Sequence, residues 1–322
     1  MTGTPRTGPV VVTGGAGAVG SVLVRALLAD GASVRVIDNL SAGRREHLPP
    51  ADAHRLSLTV ADLKRPREYS TALKGATSIW HLAANTDIRK AGRAGPRLDF
   101  EEGVIASLRL LEEARRRDVP LVRFSSSSVV YGLPTVFPTP EDYGPLAPES
   151  FYGAGKLAVE GFLSAYAHNY GFTAHIFRFA NIIGPGMTHG VLYDFFAKLK
   201  ATPDRLEVLG DGRQSKSYLR TEDCVDGMLL AAERARAPVN VLNLGAPDRI
   251  SVREIAEKVV AAHGGRARIE YTGGPRGWVG DVPQQWLAID RIRALGWSPR
   301  HSSAEAVDRT IAEMIASRAG RA

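Results

Sequence analysis

From Pro9 onward the chain alternates short apolar runs with stretches of helical periodicity. "VVVTG" reads as a strand, and "AVGSVLVRALLADG" as a helix closed by a glycine. "SVRVID" is the next strand and "TSIWHLAA" (77–84) a later one, followed by a helical pattern from about Arg97 to Arg117. "LVRFSSSS" is a further strand, "YGAGKLAVEGFLSAYAHNYG" a helix and "FTAHIFRFANIIG" a strand. Strands alternating with helices of this length predict an α/β fold, a doubly wound parallel sheet. Runs such as "VVV" and "VRVI" suit strands buried on both faces.

After about Gly184 the pattern turns to loops and short elements, and "GGPRGWVGDVPQQW" is rich in glycine and proline. The expected organisation is a doubly wound α/β domain over 1–182, with parts of 217–262 packing back on it. A smaller C-terminal α/β lobe then occupies 183–322. No apolar run approaches the roughly 20 residues that span a bilayer. "MTGTPRTGP" lacks the apolar segment of a secretion signal. These features predict a cytoplasmic protein without a membrane partner.

The single cysteine, Cys224, excludes an internal disulfide and a thiolate metal cluster, and its helix-start context reads as a small buried residue. Lys and Arg number 41 against 34 Asp and Glu. The arginines are scattered, and "EARRRD" alternates sign like a solvated helix face. A phosphate-bearing small ligand accounts for this excess as well as a nucleic acid would, and no clustered basic face or aromatic platform supports the latter. His81 reads as structural, while His189 lies in a loop with either a ligand contact or no role. No His, Asp or Glu set has metal-ligand spacing, so no metal is expected.

"TGGAGAVG" sets Gly14, Gly17 and Gly20 directly after the first strand and at the start of the first helix. The first glycine permits a tight turn, the second lets a pyrophosphate approach the backbone, and the third lets helix and strand pack closely. The helix start at Ala18 and Val19 then offers free N–H groups to phosphate. Asp38, followed by Asn39, ends the second strand, where a carboxylate suits an adenosine ribose and would repel a 2′-phosphate. NAD is therefore the expected cofactor. Asp62 in "ADL" is a candidate neighbour of the adenine.

Tyr152 and Lys156 stand four apart at a helix start, on one face. A free tyrosine is a poor base near neutral pH, and a neighbouring ammonium favours its phenolate. The four serines of "FSSSSVVYG" end a strand whose carboxyl end opens onto the ligand crevice, with alternate hydroxyls facing the same way. One of them is placed to bridge a substrate hydroxyl and Tyr152.

Together "TGGAGAVG", "DNLS", "HLAANTD", "SSSSVVYG", "YGAGK", "RFANIIGPG", "LGDGRQSKSYLRTEDCVDGML" and "RGWVGDV" resemble the extended short-chain dehydrogenases/reductases, specifically the nucleoside-diphosphate-sugar 4-epimerases. "THGVLYDFFAKL" and "LGDGRQSKSY" look closest to the UDP-glucose 4-epimerase branch. The resemblance implies a Rossmann domain holding NAD, a UDP-sugar substrate and a catalytic set of Ser127, Tyr152 and Lys156. It implies cofactor contacts from Ser41, Gly43, Leu63, Leu82, Ala83, Ala84, Ser125 and Phe179 besides the residues above. It places Thr86, Ser127, Ser128, Tyr152, Asn181, Val191, Leu192, Leu209, Lys216, Tyr218, Arg276 and Asp281 around the nucleotide sugar. The implied reaction oxidises the sugar at C4 and returns the hydride to the opposite face. A homodimer through a four-helix bundle of the segments near 97–117 and 152–170 is also implied.

The chain departs from that family at Lys216 (usually arginine), Gly155 (serine), Gly103 (asparagine) and in the longer spacing of "RGWVGD". Dehydratases and decarboxylases of the same fold carry an acid after the catalytic hydroxyl residue; here those positions are Ser128 and Val129. The 4-epimerase reading therefore leads over a dehydratase, a reductase or a non-catalytic NAD-binding protein. The sugar, whether hexose, N-acetylhexosamine or hexuronic acid, stays open.

Overall fold

In the computed structural model, which describes residues 8–50, 54–85 and 95–319, the first apolar run forms β1 (Val10–Thr13) and the periodic stretch after it forms α1 (Ala18–Ala29). β2 (Val34–Asp38), β3 (Leu56–Val60), a short α2 (Pro66–Tyr69) and β4 (Ser78–His81) follow. Next come α3 (96–116), β5 (Leu121–Ser127), α4 (Phe151–Tyr170) and β6 (Thr173–Phe179). β7 (Asn181–Ile183), α5 (Val191–Ala201), β8 (Arg205–Val208), β9 (Ser215–Lys216) and β10 (Tyr218–Arg220) open the second half. It continues through α6 (Thr221–Arg234), β11 (Val239–Leu244), β12 (Ile250–Ser251), α7 (Val252–Ala262) and β13 (Arg268–Tyr271). β14 (Gln284–Gln285), α8 (Asp290–Ala294) and α9 (Ser303–Ala319) complete the chain.

Seven strands form one sheet in the order β11-β6-β5-β4-β1-β2-β3, every neighbouring pair parallel. The chain order reverses between β1 and β4, which opens a crevice at their carboxyl ends. Alternate residues face opposite layers. Val11, Ile79, Val122 and Phe124 pack with Leu110 of α3 and Leu163 of α4. Val12, Val36, Trp80 and Phe177 pack with Leu23 of α1 and Met228 of α6. A third core joins α5, β8, α7 and α9 through Phe196, Leu206, Val259 and Val307. Of 217–262, α6 and β11 return to the large sheet, whereas α7 stays in this third core.

Four expectations change. β3 was not anticipated: its residues, "LSLTV", alternate in polarity, and it is a half-exposed edge strand, not an apolar run. "FTAHIFRFANIIG" is two strands, because at Ala180 the chain leaves the large sheet and β7 pairs with β10 instead. "TSIWHLAA" stops as a strand at His81, and Leu82 to Ala84 enter the crevice as loop. The helix anticipated near 97–117 is α-helical at Pro96–Asp99, widens to a π-helical turn at Phe100–Ile105, and is α-helical again from Ala106 to Arg116.

α4 carries the catalytic candidates and has defined ends. Ser150 accepts a hydrogen bond from Gly153 N at 3.1 Å, and Gly171 closes the helix with φ +69°. Mid-helix, Glu160 and Arg178 of β6 form a buried ion pair, Oε2 to Nη2 at 2.7 Å. The same carboxylate accepts from Ser126, which ties α4 to β5 as well as to β6.

Candidate active site

The glycine turn is as tight as its spacing predicts. Gly14 has φ +69°, and a Cβ there would lie 2.7 Å from Ala83 N. A Cβ on Gly20 would collide with the Gly14 carbonyl oxygen, so α1 reaches this close only without a side chain. Gly17 caps α1 with no side-chain cap, and the first N–H groups of a helix, here from Ala18 and Val19, have no partner within it. The cradle fits a pyrophosphate, since side chains would fill it.

Asp38 is buried, and both its oxygens already accept backbone bonds: Oδ2 from Ala16 N at 2.9 Å, Oδ1 from Leu40 N at 2.8 Å. Each carboxylate oxygen retains a second acceptor direction for a ribose hydroxyl. Gly43 lies against Asp38, where a Cβ would sit 3.0 Å from Oδ2. The exposed Asn39 Oδ1 accepts from Ser41 N and Oγ. Asp62 caps its own loop at Lys64 N, while Leu63 is buried in the core. Ala83 and Ala84 border a small cavity beside Lys156, and Leu82 and Phe179 pack half-buried on the α1 side of the sheet. Thr86 lies outside the described residues.

The four serines divide their work by alternation. Ser126 bonds Glu160 in the helix layer, Ser125 Oγ donates to His81 O at 3.3 Å, and the Ser127 side chain acts on the Tyr152 phenol, favouring its ionised form. Ser128 begins a 3₁₀ turn and accepts from Gln285 Nε2. Lys156 is buried, its Nζ donating to Ser125 O at 2.6 Å and lying 5.6 Å from the Tyr152 ring centre. Burial pushes its pKa down to about 7. Burial, and then the Asp99 charge, raise the Tyr152 phenol above its usual range, with Ser127 opposing. The spacing leads one to expect an ammonium lowering the tyrosine; in this structure desolvation of both groups outweighs that attraction.

His81 is structural, as expected. Its ring nitrogens hydrogen-bond Thr13 Oγ1 and Ser107 Oγ, each at 2.8 Å. Burial, aided by Lys156, lowers its pKa from 6.5 to about 3. Between those values the unfolded chain takes up a proton that the folded chain refuses, so stability falls as pH drops through this window. The urea midpoint is expected to fall more steeply from pH 6.5 to 4.5 in the wild type than in His81→Gln. Equal slopes would remove His81 as a cause. Cys224 is fully buried and its thiol is raised by that burial.

On the C-terminal side, Asn181 Nδ2 donates to Ser217 O and to Gln285 Oε1, both at 3.0 Å. Gln285, which the sequence reading passed over, thus connects Ser128 to Asn181. Lys216 Nζ pairs with Asp281 Oδ1 at 2.6 Å and lies 5.3 Å from the Trp278 ring centre; Gly277 N holds Asp281 Oδ2 at 3.0 Å. Arg276 pairs with Glu149 at 3.0 Å, just before α4. Both cations expected to meet a diphosphate therefore already face carboxylates. Val191 and Leu209 are half-buried. Leu192 and Tyr218, expected around the nucleotide sugar, are buried and pack in the third core with α5 and β10, and the Asp281 charge reaches the Tyr218 phenol.

Residues 10–245 match the NAD dependent epimerase/dehydratase family. The chain is 33% identical over 313 residues to the UDP-glucose 4-epimerase of Mycolicibacterium smegmatis, covering 94% of this chain and 96% of that protein. A crystal structure of a UDP-galactose 4-epimerase superimposes with a TM-score of 0.87 at 39% identity, over 96% of this chain and 99% of the other. A UDP-glucose 4-epimerase from Thermotoga maritima, solved with UDP-glucose, superimposes with a TM-score of 0.87 at 29% identity, over the same shares. With the glycine turn, the Tyr-Lys helix and the strand order all in place, the chain belongs to the NAD dependent epimerase/dehydratase family.

Proposed function

We propose that the chain is a cytoplasmic, NAD-dependent 4-epimerase of a UDP-hexose, interconverting UDP-glucose and UDP-galactose. The observation that carries this reading is Tyr152, with Ser127 on its hydroxyl and Lys156 beside its ring, at the mouth of a glycine cradle shaped for a dinucleotide. When bound, NAD supplies the hydride acceptor and donor at C4. Tyr152 takes the proton of the C4 hydroxyl through or beside Ser127 and later returns it. Lys156 contributes positive charge that favours the phenolate. Lys216, whose ammonium keeps donors beyond its bond to Asp281, holds the nucleotide diphosphate while the 4-keto sugar presents its other face. A dehydratase needs an acid after Ser127, and here Ser128 is occupied by Gln285. Neutral serine and glutamine groups suit sugar hydroxyls better than a C6 carboxylate.

The test is NMR of the purified protein with UDP-glucose, UDP-GlcNAc and UDP-glucuronic acid in turn, with no NAD added. UDP-galactose formed fastest from UDP-glucose supports the reading; no C4-inverted product from any substrate, with or without NAD, overturns it.

The functional unit in this reading is a homodimer built on α3 and α4. Phe100, Phe162 and Tyr170 stand exposed on these two helices, at 54, 41 and 55% of their full surface. Aromatic exposure of this kind marks an interaction face. Phe162→Glu is expected to halve the mass seen by light scattering; an unchanged mass would place the contact elsewhere. Among the described residues no helix is long and apolar enough to cross a membrane.

A further inference from the structure

Asp99 ends the first turn of α3 with only 2% of its surface exposed. Its Oδ1 accepts from Asn85 Nδ2 at 3.1 Å, and its Oδ2 has no hydrogen-bond partner among the described residues. A buried carboxylate oxygen left unpaired is costly, and such an atom calls for an explanation. The π-helical turn begins at the next residue and turns Gly103 toward the same space as Gly155 of α4. A Cβ on Gly103 would meet nothing within 4 Å, and one on Gly155 would find Asp99 O at an ordinary 3.5 Å. Both positions have room for a side chain and carry none. What remains is a cavity of about 10 Å³ lined by Asn85, Asp99, Ser107, Tyr152 and Lys156. That is the room one water needs.

We propose that Asp99 is a positioning residue for the Tyr152–Lys156 pair, its carboxylate acting across the gap that Gly103 and Gly155 leave open. This rests on the reading of Tyr152 and Lys156 as the proton-transfer pair. The direction of the effect is set by charge: an anion here favours the ammonium of Lys156 and disfavours the phenolate of Tyr152. Asp99 thereby biases the pair toward neutral tyrosine and charged lysine, against the burial that lowers Lys156. From α4 the groups facing it are Tyr152 and Lys156, with the Glu160 charge also reaching Lys156. From β4, His81 is neutral and engaged by Thr13 and Ser107. On its own helix Glu101 and Glu102 are committed to Arg97 and Lys64.

The experiment titrates Tyr152 in protein labelled with ¹³Cζ-tyrosine and purified with its cofactor, the resonance being assigned by its loss in Tyr152→Phe. Asp99→Asn is expected to lower the Tyr152 midpoint by about one pH unit and to move the acid limb of kcat/KM the same way. Asp99→Glu, whose extra methylene the gap admits, is expected to keep the wild-type midpoint. An unshifted midpoint in Asp99→Asn overturns the proposal, as does a Glu variant that shifts like Asn, since packing would then be the cause. Should the Asn variant fail to fold, Asp99→Ser removes the same charge with less bulk and must give the same shift. The titration needs no turnover, so a protein that epimerises none of the three sugars still answers for Asp99. Epimerisation with an unshifted tyrosine removes the role of Asp99 alone.

Discussion

Tyr152→Phe is expected to lower kcat by about 10²- to 10⁴-fold, the usual contribution of a positioned acid–base group. Among the described residues, Lys156 is spent on the Ser125 carbonyl, and the Ser127 hydroxyl is itself a poor base. The phenyl ring fills the same space, so the fold and the retained dinucleotide should be unaffected. Turnover measured by NMR, together with the ratio of absorbance at 260 and 280 nm, separates the two effects. Near-normal turnover would remove Tyr152 from the reaction. Loss of dinucleotide alongside turnover would instead assign it to binding.

Arg178→Met is expected to cost about 3–5 kcal/mol, because it strands Glu160 as a buried, uncompensated charge. Arg178 and Glu160 are 4 and 6% exposed, and the guanidinium also donates to Glu141 O at 3.0 Å and lies 4.7 Å from the Tyr131 ring centre. Adding Glu160→Leu should recover most of the loss, since well-packed apolar residues commonly replace a buried pair without penalty. Urea unfolding of the single and double variants provides the check; a single variant within about 1 kcal/mol of wild type, on the scale of an exposed ion pair, would contradict the assignment. The pair also matters for the site, because Glu160 follows Lys156 by one helical turn and holds Ser126 between Ser125 and Ser127. Loosening it should blur the distance between the β5 tip and α4, and lower kcat more than KM changes.

Local chemistry was the legible part of this sequence. The glycine turn and the Tyr152–Lys156 spacing are set within a few residues of chain, where turn sterics and helical periodicity act directly. The electrostatic state of that pair was not legible, because burial depends on how α3 and the sheet close over it. Asp99 escaped notice for the same reason: nothing in "PRLDFEEG" shows that one carboxylate of three points inward. Leu192 and Tyr218 look identical in sequence whether they face a ligand or a core. β3 alternates in polarity and lacks the apolar run of a buried parallel strand, and the break at Ala180 depends on β10, which lies nearly forty residues downstream.

The return of α6 and β11 to the large sheet bears on how the chain is made. A nascent chain that has emerged as far as residue 182 owns β1 to β6, yet the face carrying Val12, Val36, Trp80 and Phe177 still lacks the Met228 side of its cover. The edge of β6 is equally open until Val239–Leu244 pairs with it. During synthesis the first lobe must therefore wait, with sticky surface and an unpaired strand edge exposed, for about sixty more residues. A fragment ending near 182 would keep that apolar face and strand edge uncovered, so it is expected to aggregate.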